Sequence, residues 1–334
     1  MADSPSQPKG DIPQQSRVML WCLPRSTSSV FTKCLSFVPD SQVFFEPYYF
    51  CYEALAQLRS LGISVDLSSS STDYYDHVDQ ETWSKVAELI SGEKCPDTRV
   101  DFDMFKYSHI RRLLQNPDPK NQLVLLKDVA HSIDGRYEFL PDKTSKFRFA
   151  FLLRHPAKVF SSWRKVMYGL RQSLEGTAQD GNTEIADNFH MIKDIPAVYN
   201  PPGLFYKELY DLWIHVRENY EPNPVVIDSD DLLADAAVIL PKFCRCLDIP
   251  FTDDRLHWDA SPATTDRWMS AFTPPNDFEF IRIYCHTAFH TSYFRAPTPC
   301  PSYDELTLDV RECVDVSMPY YQKMYEHRIR ADVL

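Results

Sequence analysis

The residues best suited to chemistry in this chain follow short apolar runs. Arg17–Leu23 (RVMLWCL) leads into Pro24-Arg25-Ser26-Thr27-Ser28-Ser29, and then into VFTKCLSFV, where Val30, Phe31, Cys34, Leu35 and Val38 recur at helical spacing. A polar turn between a buried strand and a helix N-terminus offers unpaired N–H groups and the positive end of a helix dipole. The hydroxyls of Ser26, Thr27, Ser28 and Ser29 add donors, and Arg25 adds a charge that cannot be lost. This set suits a phosphate or a sulfonate. It reads equally as a Ser/Thr helix cap beside a solvated arginine. A Gly-x-x-x-x-Gly-Lys-Ser/Thr loop is absent, and so is the lysine that holds the terminal phosphates of a nucleoside triphosphate.

A second constellation is FLLRHPAKVFSSWRKV, residues 151–166. Arg154 ends an apolar run, and Ser162 lies about two helical turns further on. With Lys158, Arg164 and Lys165 the stretch is the most basic in the chain, which fits either a second anion site or a solvated basic helix face. Glu46 ends another run as FFEPYY, and Lys127–Asp128 follow QLVLL, with His131 just beyond. A carboxyl set among Phe44, Phe45, Tyr48 and Tyr49 is expected to have a raised pKa, useful in a general base. The same Glu before a helix also reads as an acid stabilised by the dipole. Lys127 is either a charge for an anion or the partner of Asp128. Tyr48, Tyr49 and Tyr52, and further along Trp268, His286 and His290, are candidates for an acceptor pocket and equally for ordinary core.

These residues must be positioned by the elements they end. Short strands at Arg17–Leu23, Gln42–Phe45, Gln122–Leu126, Arg148–Leu153 and Pro224–Ile227 alternate with helical patterns at Tyr48–Leu61, Glu81–Ile90, Met104–Leu114 and Leu204–Tyr220. That rhythm implies a three-layer α/β/α fold with a central, mostly parallel sheet. Ligands of such sheets bind beyond the carboxyl ends of the strands, where Arg25, Glu46, Lys127 and Arg154 all fall. Asp230–Asp231 reads as the cap of a helix running to about Leu247. Residues 1–16 read as a disordered tail and 17–334 as one domain, with polar insertions near 62–100 and 173–200 that suit lids. The segment after about 250 has no βα rhythm and is expected to wrap the core.

The 334 residues carry 35 Lys and Arg against 47 Asp and Glu, a formal charge of -12, which argues against nucleic-acid binding. The nine Cys are scattered, with no CxxC pair, and the His residues show no metal-ligand spacing, so no metal is expected. The polar N-terminus has no apolar signal core, and no run approaches ~18 apolar residues, so a cytoplasmic protein without a membrane partner is expected.

Together, Pro-Arg-Ser-x-Ser-Ser after the first strand and Arg-x-Pro-x5-Ser after a later one resemble the P-loop sulfotransferase superfamily. Its members take a sulfuryl group from 3′-phosphoadenosine 5′-phosphosulfate (PAPS) and release 3′-phosphoadenosine 5′-phosphate (PAP). VVIDSDDLLADAAVILPKFCRCLDIPF, residues 225–251, is similar to the family's strand-and-helix segment, and LWCLPRSTSS and LLKDVAH look like its soluble branch. The likeness runs from about Arg17 to Phe251, with gaps across 62–100 and 173–200. It implies a P-loop sulfotransferase-like fold and transfer to a hydroxyl, or less readily an amine, of a small-molecule acceptor. It assigns the 5′-phosphosulfate to Arg25, Ser26, Thr27, Ser28 and Ser29, and the 3′-phosphate to Arg154 and Ser162. Lys127 would join Arg25 near the transferring group. Glu46 matches the position of a Glu base in some branches. His131 is a second base or an acceptor-orienting group, because Lys127-Asp128-Val129-Ala130-His131 is two residues longer than the soluble branch's Lys-Thr-His. Many family loops carry Gly where Thr27 stands, and a β-branched residue resists positive φ and close backbone approach. Two alternatives remain: a kinase-like phosphotransferase, and a non-catalytic protein that binds PAP on the same fold.

Overall fold

Five segments made largely of apolar residues pair side by side. They are β1 (Ser16–Cys22), β2 (Ser41–Phe45), β3 (Leu123–Val129), β4 (Arg148–Leu153) and β5 (Val225–Asp228). The structure, a computed structural model, describes residues 15–65, 77–92, 94, 99–175 and 185–331. Residues 1–14 of the expected tail, and parts of both expected insertions, lie outside the described residues, whereas Ser16 is a buried residue of β1 and not tail. The sheet order is β2-β3-β1-β4-β5 and every pairing is parallel. Every residue of β3 is buried. Because successive side chains point to opposite faces, both faces of the sheet must be covered.

Helices provide that cover and make the expected three-layer α/β/α architecture. They are α1 (Ser28–Leu35), α2 (Pro47–Ser60), α3 (Gln80–Ser91), α4 (Tyr107–Gln115), α5 (Pro156–Leu174), α6 (Tyr206–Asn219), α7 (Ser229–Ala234), α8 (Ala236–Cys246), α9 (Glu279–Phe289) and α10 (Leu308–Tyr325). The chain lays β1, β2 and β3 on one side of the sheet, then returns to the other side of β1 for β4 and β5. The reversal between β1 and β4 opens a crevice at their carboxyl ends. Arg25 and Arg154 stand on its two rims.

Three expectations need correction. The third strand ends at Val129, so Lys127 and Asp128 are strand residues. Asp228, not Asp230–Asp231, caps the following helix: its carboxylate accepts from the Asp230 N–H at 2.8 Å and the Asp231 N–H at 3.3 Å. That helix is two, broken at Asp235. The segment after 250 adds no strand to the sheet, in keeping with its lack of βα rhythm, and contains two full helices, α9 and α10.

Buried charges fix these late helices in place. Lys33 of α1 is fully buried, and its ammonium donates to the Ala260 and Thr291 carbonyls at 3.1 Å and to the Phe289 carbonyl at the end of α9. Cations are favoured at such unpaired C-terminal carbonyls. In the basic stretch of α5, Lys165 is exposed, but Lys158 and Arg164 are neither solvated nor free to bind an anion. Lys158 pairs with Asp230 at 2.8 Å, and Arg164 Nε lies 3.2 and 3.0 Å from the two Asp309 oxygens at the start of α10. Asp309→Ala would leave the Arg164 guanidinium buried without its counter-charge. The expected loss is about 3–5 kcal/mol of unfolding free energy in urea titrations. A loss below about 1 kcal/mol would show that α10 is held by its apolar face alone.

Candidate active site

The strand register brings the first two chemical groups together. In the ladder Phe45 is level with Lys127, and the Glu46 N–H donates to the Lys127 carbonyl at 2.8 Å. Glu46 then turns to φ 54, a left-handed conformation that ends β2, and Pro47 opens α2 with its preset φ. In this turn the Glu46 carboxylate ion-pairs with the Lys127 ammonium, whose side chain is only 3% exposed. Burial works to lower the Lys127 pKa, but the Glu46 charge, with Cys22 and Cys285, outweighs it and leaves the ammonium favoured. The ammonium also sits 4.9 Å from the centre of the Phe45 ring. Asp128, next along the strand, is not its partner. The Asp128 carboxylate instead accepts from the Tyr48 N–H at 2.6 Å and the Val129 N–H at 2.8 Å, which ties the first turn of α2 to the end of β3.

The turn after β1 adopts the conformation that its sequence resists. Thr27 lies at φ 68 and ψ 11, and Arg25 at φ 60. Strain of this kind persists only where surroundings over-determine it, and it gathers at functional sites. The restraints are visible. The Ser26 hydroxyl donates to the Leu23 carbonyl at 2.6 Å, and the Ser26 carbonyl accepts from the Ser229 hydroxyl. Ser26 is therefore a fully buried brace, not a ligand hydroxyl. Thr27, Ser28 and Ser29 line the cavity below, with Ser29 Oγ 3.5 Å from Cys285 Sγ.

The two expected anion cradles adjoin each other. Arg154 Nη1 donates to the Arg25 carbonyl at 2.6 Å, and the Arg154 carbonyl accepts from the Tyr206 hydroxyl at 2.6 Å. Arg25 Nε donates to Ser162 Oγ at 2.9 Å, and its Nη1 to the Tyr284 carbonyl of α9 at 2.8 Å. Ser162 accepts from Arg25, so its O–H proton remains to be donated. Arg154 Nε is buried with no hydrogen-bond partner. Burial lowers the pKa of the Arg25 guanidinium, and the nearby Arg154 charge adds to the effect.

Arg25, Arg154, Lys127 and Glu46 line one cavity of about 290 Å³. Its lining carries three cations, Arg25, Lys127 and Arg154, against one carboxylate, Glu46. In a chain of charge -12 this is a local inversion of sign. Aromatic residues form other parts of the wall: Tyr49, Trp163, Tyr199, Phe205 and Tyr284. His131 also lines it, 5% exposed, with ring centres of Tyr52 and Phe205 at 5.3 and 5.2 Å. Burial pushes the His131 pKa down to about 3. The imidazole is thus neutral at ordinary pH and a weak base. Behind the wall, the Tyr49 hydroxyl donates to Glu53 Oε1 at 2.9 Å, and burial pushes the Glu53 carboxyl up to about 7.

Two expected acceptor contacts are core residues. Tyr48 is fully buried, stacked between Trp21 and Tyr107, and its hydroxyl donates to the Phe139 carbonyl at 2.9 Å. Trp268 packs on Phe45 and Phe289 and donates from Nε1 to Ser36 Oγ at 2.9 Å. On the α9 wall, sequence reasoning named His286, which lines the cavity, and missed Ile281, Tyr284 and Cys285. A signal was present: Phe278, Ile281, Cys285 and Phe289 are all buried and recur at helical spacing. Among the described residues no group of three or more His, Cys, Asp or Glu is placed to hold a metal ion, and no helix is long and apolar enough to cross a membrane.

No protein-family model matches the chain, and no curated protein matches it. Among solved structures it is similar to the sulfotransferase domain from the curacin biosynthetic pathway, with 15% identity and a TM-score of 0.38 over 91% of this chain and 98% of that domain. It is also similar to the sulfotransferase domain from the olefin synthase of Synechococcus PCC 7002, with 15% identity and a TM-score of 0.37 over 94% of this chain and 98% of that domain.

The Glu53 carboxyl gives the site a pH signature. Its folded pKa of about 7 lies above the ordinary 4.5, so its contribution to stability is whole below 4.5 and is lost as pH rises through 7. Glu53→Gln keeps an oxygen for the Tyr49 hydroxyl and removes the titration. Relative to the parent protein it should gain on the order of 2–3 kcal/mol between pH 5 and pH 8 in urea unfolding. Parallel stability curves for the two proteins over that range would refute the assignment.

Proposed function

We propose that the protein is a PAPS-dependent sulfotransferase that transfers SO₃⁻ to a hydroxyl of a small-molecule acceptor. One observation carries the reading. At the strand tips of an acidic chain, three cations and one lysine-paired carboxylate share a single cavity. PAPS is anionic at both ends of its nucleoside. Arg154, which lines the cavity, and the Ser162 O–H suit the 3′-phosphate. Thr27, Ser28, Ser29 and the loop N–H groups at the start of α1 suit the phosphosulfate. The cavity's chemistry fits this donor better than a nucleoside triphosphate, because the chain has no Gly-Lys-Ser/Thr loop.

In this reading the acceptor hydroxyl gives its proton to Glu46, whose ion pair with Lys127 engages Oε1. The acceptor oxygen attacks sulfur, the bond from sulfur to the bridging phosphate oxygen breaks, and PAP leaves with the electron pair. Lys127 and Arg25 meet the charge that builds on the sulfuryl and leaving oxygens, and their preorganised positions lower the barrier. The transfer itself calls on no metal.

Calorimetry with PAP and with ATP, followed by transfer from labelled PAPS to a panel of phenols, alcohols and sugars, tests the proposal. PAP should bind far more tightly than ATP. Preference for ATP would replace the reading with a phosphotransferase. PAP binding without transfer to any acceptor would leave a nucleotide-binding protein. Glu46→Gln should lower turnover by more than ~100-fold while keeping PAP affinity, as expected on removing a general base. Normal turnover in that variant would make Glu46 structural.

A further inference from the structure

His131 is a polar ring set among aromatic ones. Its ring packs edge-on to Tyr49, Tyr52 and Phe205, and its Nδ1 is sealed in the protein with no hydrogen-bond partner. A buried polar atom left unpaired is costly, so the ring gains most where its other nitrogen finds a partner. Because the ring lines the cavity while Nδ1 is sealed, the nitrogen left to meet an occupant is Nε2. The tautomer follows. A proton on Nδ1 would be a buried donor facing no acceptor, whereas a proton on Nε2 faces the cavity. The ring is therefore built to donate from Nε2. Burial that holds the imidazole neutral also argues against its taking a proton from the reacting hydroxyl. The Glu46–Lys127 pair is already placed for that exchange.

We propose that His131 reads the acceptor: its Nε2–H donates to an uncharged oxygen, hydroxyl or carbonyl, other than the one that takes the sulfuryl group. This rests on the sulfotransferase reading and names its substrate class. The acceptor is a flat, neutral molecule with two oxygen functions, one meeting Glu46 and the other His131. Flatness is set by Tyr49, Tyr199, Phe205 and Tyr284, whose rings line the same cavity. Neutrality is suited by the aromatic rings of Tyr49, Tyr52 and Phe205 that pack around His131. A site built to pair a substrate oxygen discriminates strongly against analogues that lack it, because its own polar group is then left unpaired.

The probes are 2-naphthol and naphthalene-2,6-diol, titrated into the full-length protein with and without saturating PAP. The parent protein should bind the diol about tenfold or more tightly than the mono-ol. His131→Phe should reduce that ratio to within about twofold, and His131→Gln, which keeps an N–H donor, should retain part of the preference. Equal affinity for the two probes, or no binding of either, overturns the proposal, as does a preference that survives in His131→Phe. If His131→Phe does not fold, His131→Leu takes its place. A fall of more than ~100-fold in kcat for both probes in His131→Gln, with KM unchanged, would make His131 the base instead and overturn the inference. Failure of PAP to bind sinks the sulfotransferase reading separately, and the ratio in PAP-free protein still judges His131.

Discussion

The Lys127 ammonium, placed near the end of a central strand and almost out of reach of water, sets the terms for everything around it. A buried charge without a partner costs several kcal/mol. The partner here is Glu46, which comes from the neighbouring strand and reaches the ammonium through a left-handed turn. Such a turn is unfavourable for a non-glycine residue. It is tolerated because three restraints meet there: the ladder bond to the Lys127 carbonyl, Pro47 opening α2, and the Asp128 carboxylate gripping the Tyr48 N–H from the other side of the strand. Lys127 and Asp128 point to opposite faces of one strand and together lock the α2 N-terminus to the sheet.

The same logic governs the opposite rim. Arg25 and Arg154 are like charges brought close, with no carboxylate in contact with either among the described residues. Their partners are neutral oxygens: Ser162, the Tyr284 carbonyl and the Arg25 carbonyl. Neutral partners orient a guanidinium without cancelling its charge, so the field at the crevice stays positive although the molecule as a whole is acidic. The positive φ of Arg25 and Thr27 is the local cost of turning the backbone so that this arrangement can form. The helix α9, stapled to α1 by Lys33, closes that side through its Tyr284 carbonyl. The cationic rim and order in the late helices therefore depend on each other.

Much of this was legible in residue order. The short continuous apolar runs mark β1, β2, β4 and β5 to within a residue or two, and the turn residues after β1 and β4 announce themselves by type. Less legible were the places where a polar residue is buried at a tertiary partner's expense. β3 was read as ending at Leu126 because Lys127 and Asp128 look like a strand end, yet both are buried and paired. Tyr48 and Trp268 looked like pocket residues because aromatic side chains suit core and ligand alike. Only packing against Trp21, Tyr107, Phe45 and Phe289 decides between them.

Composition and spacing alone determined the parallel α/β architecture, the edge of the sheet where chemistry belongs, and the residue types that stand there. Those are properties of local periodicity, which reads out one element at a time. Tertiary structure alone decided which of those residues meet. It set Lys127 against Glu46 instead of Asp128, joined Arg25 to Ser162, withdrew Ser26 into a brace, and brought a wall from α9 that lies more than 250 residues along from Arg25. The reason is that a pairing between distant side chains depends on strand order and register, and neither is written in the periodicity of any single segment.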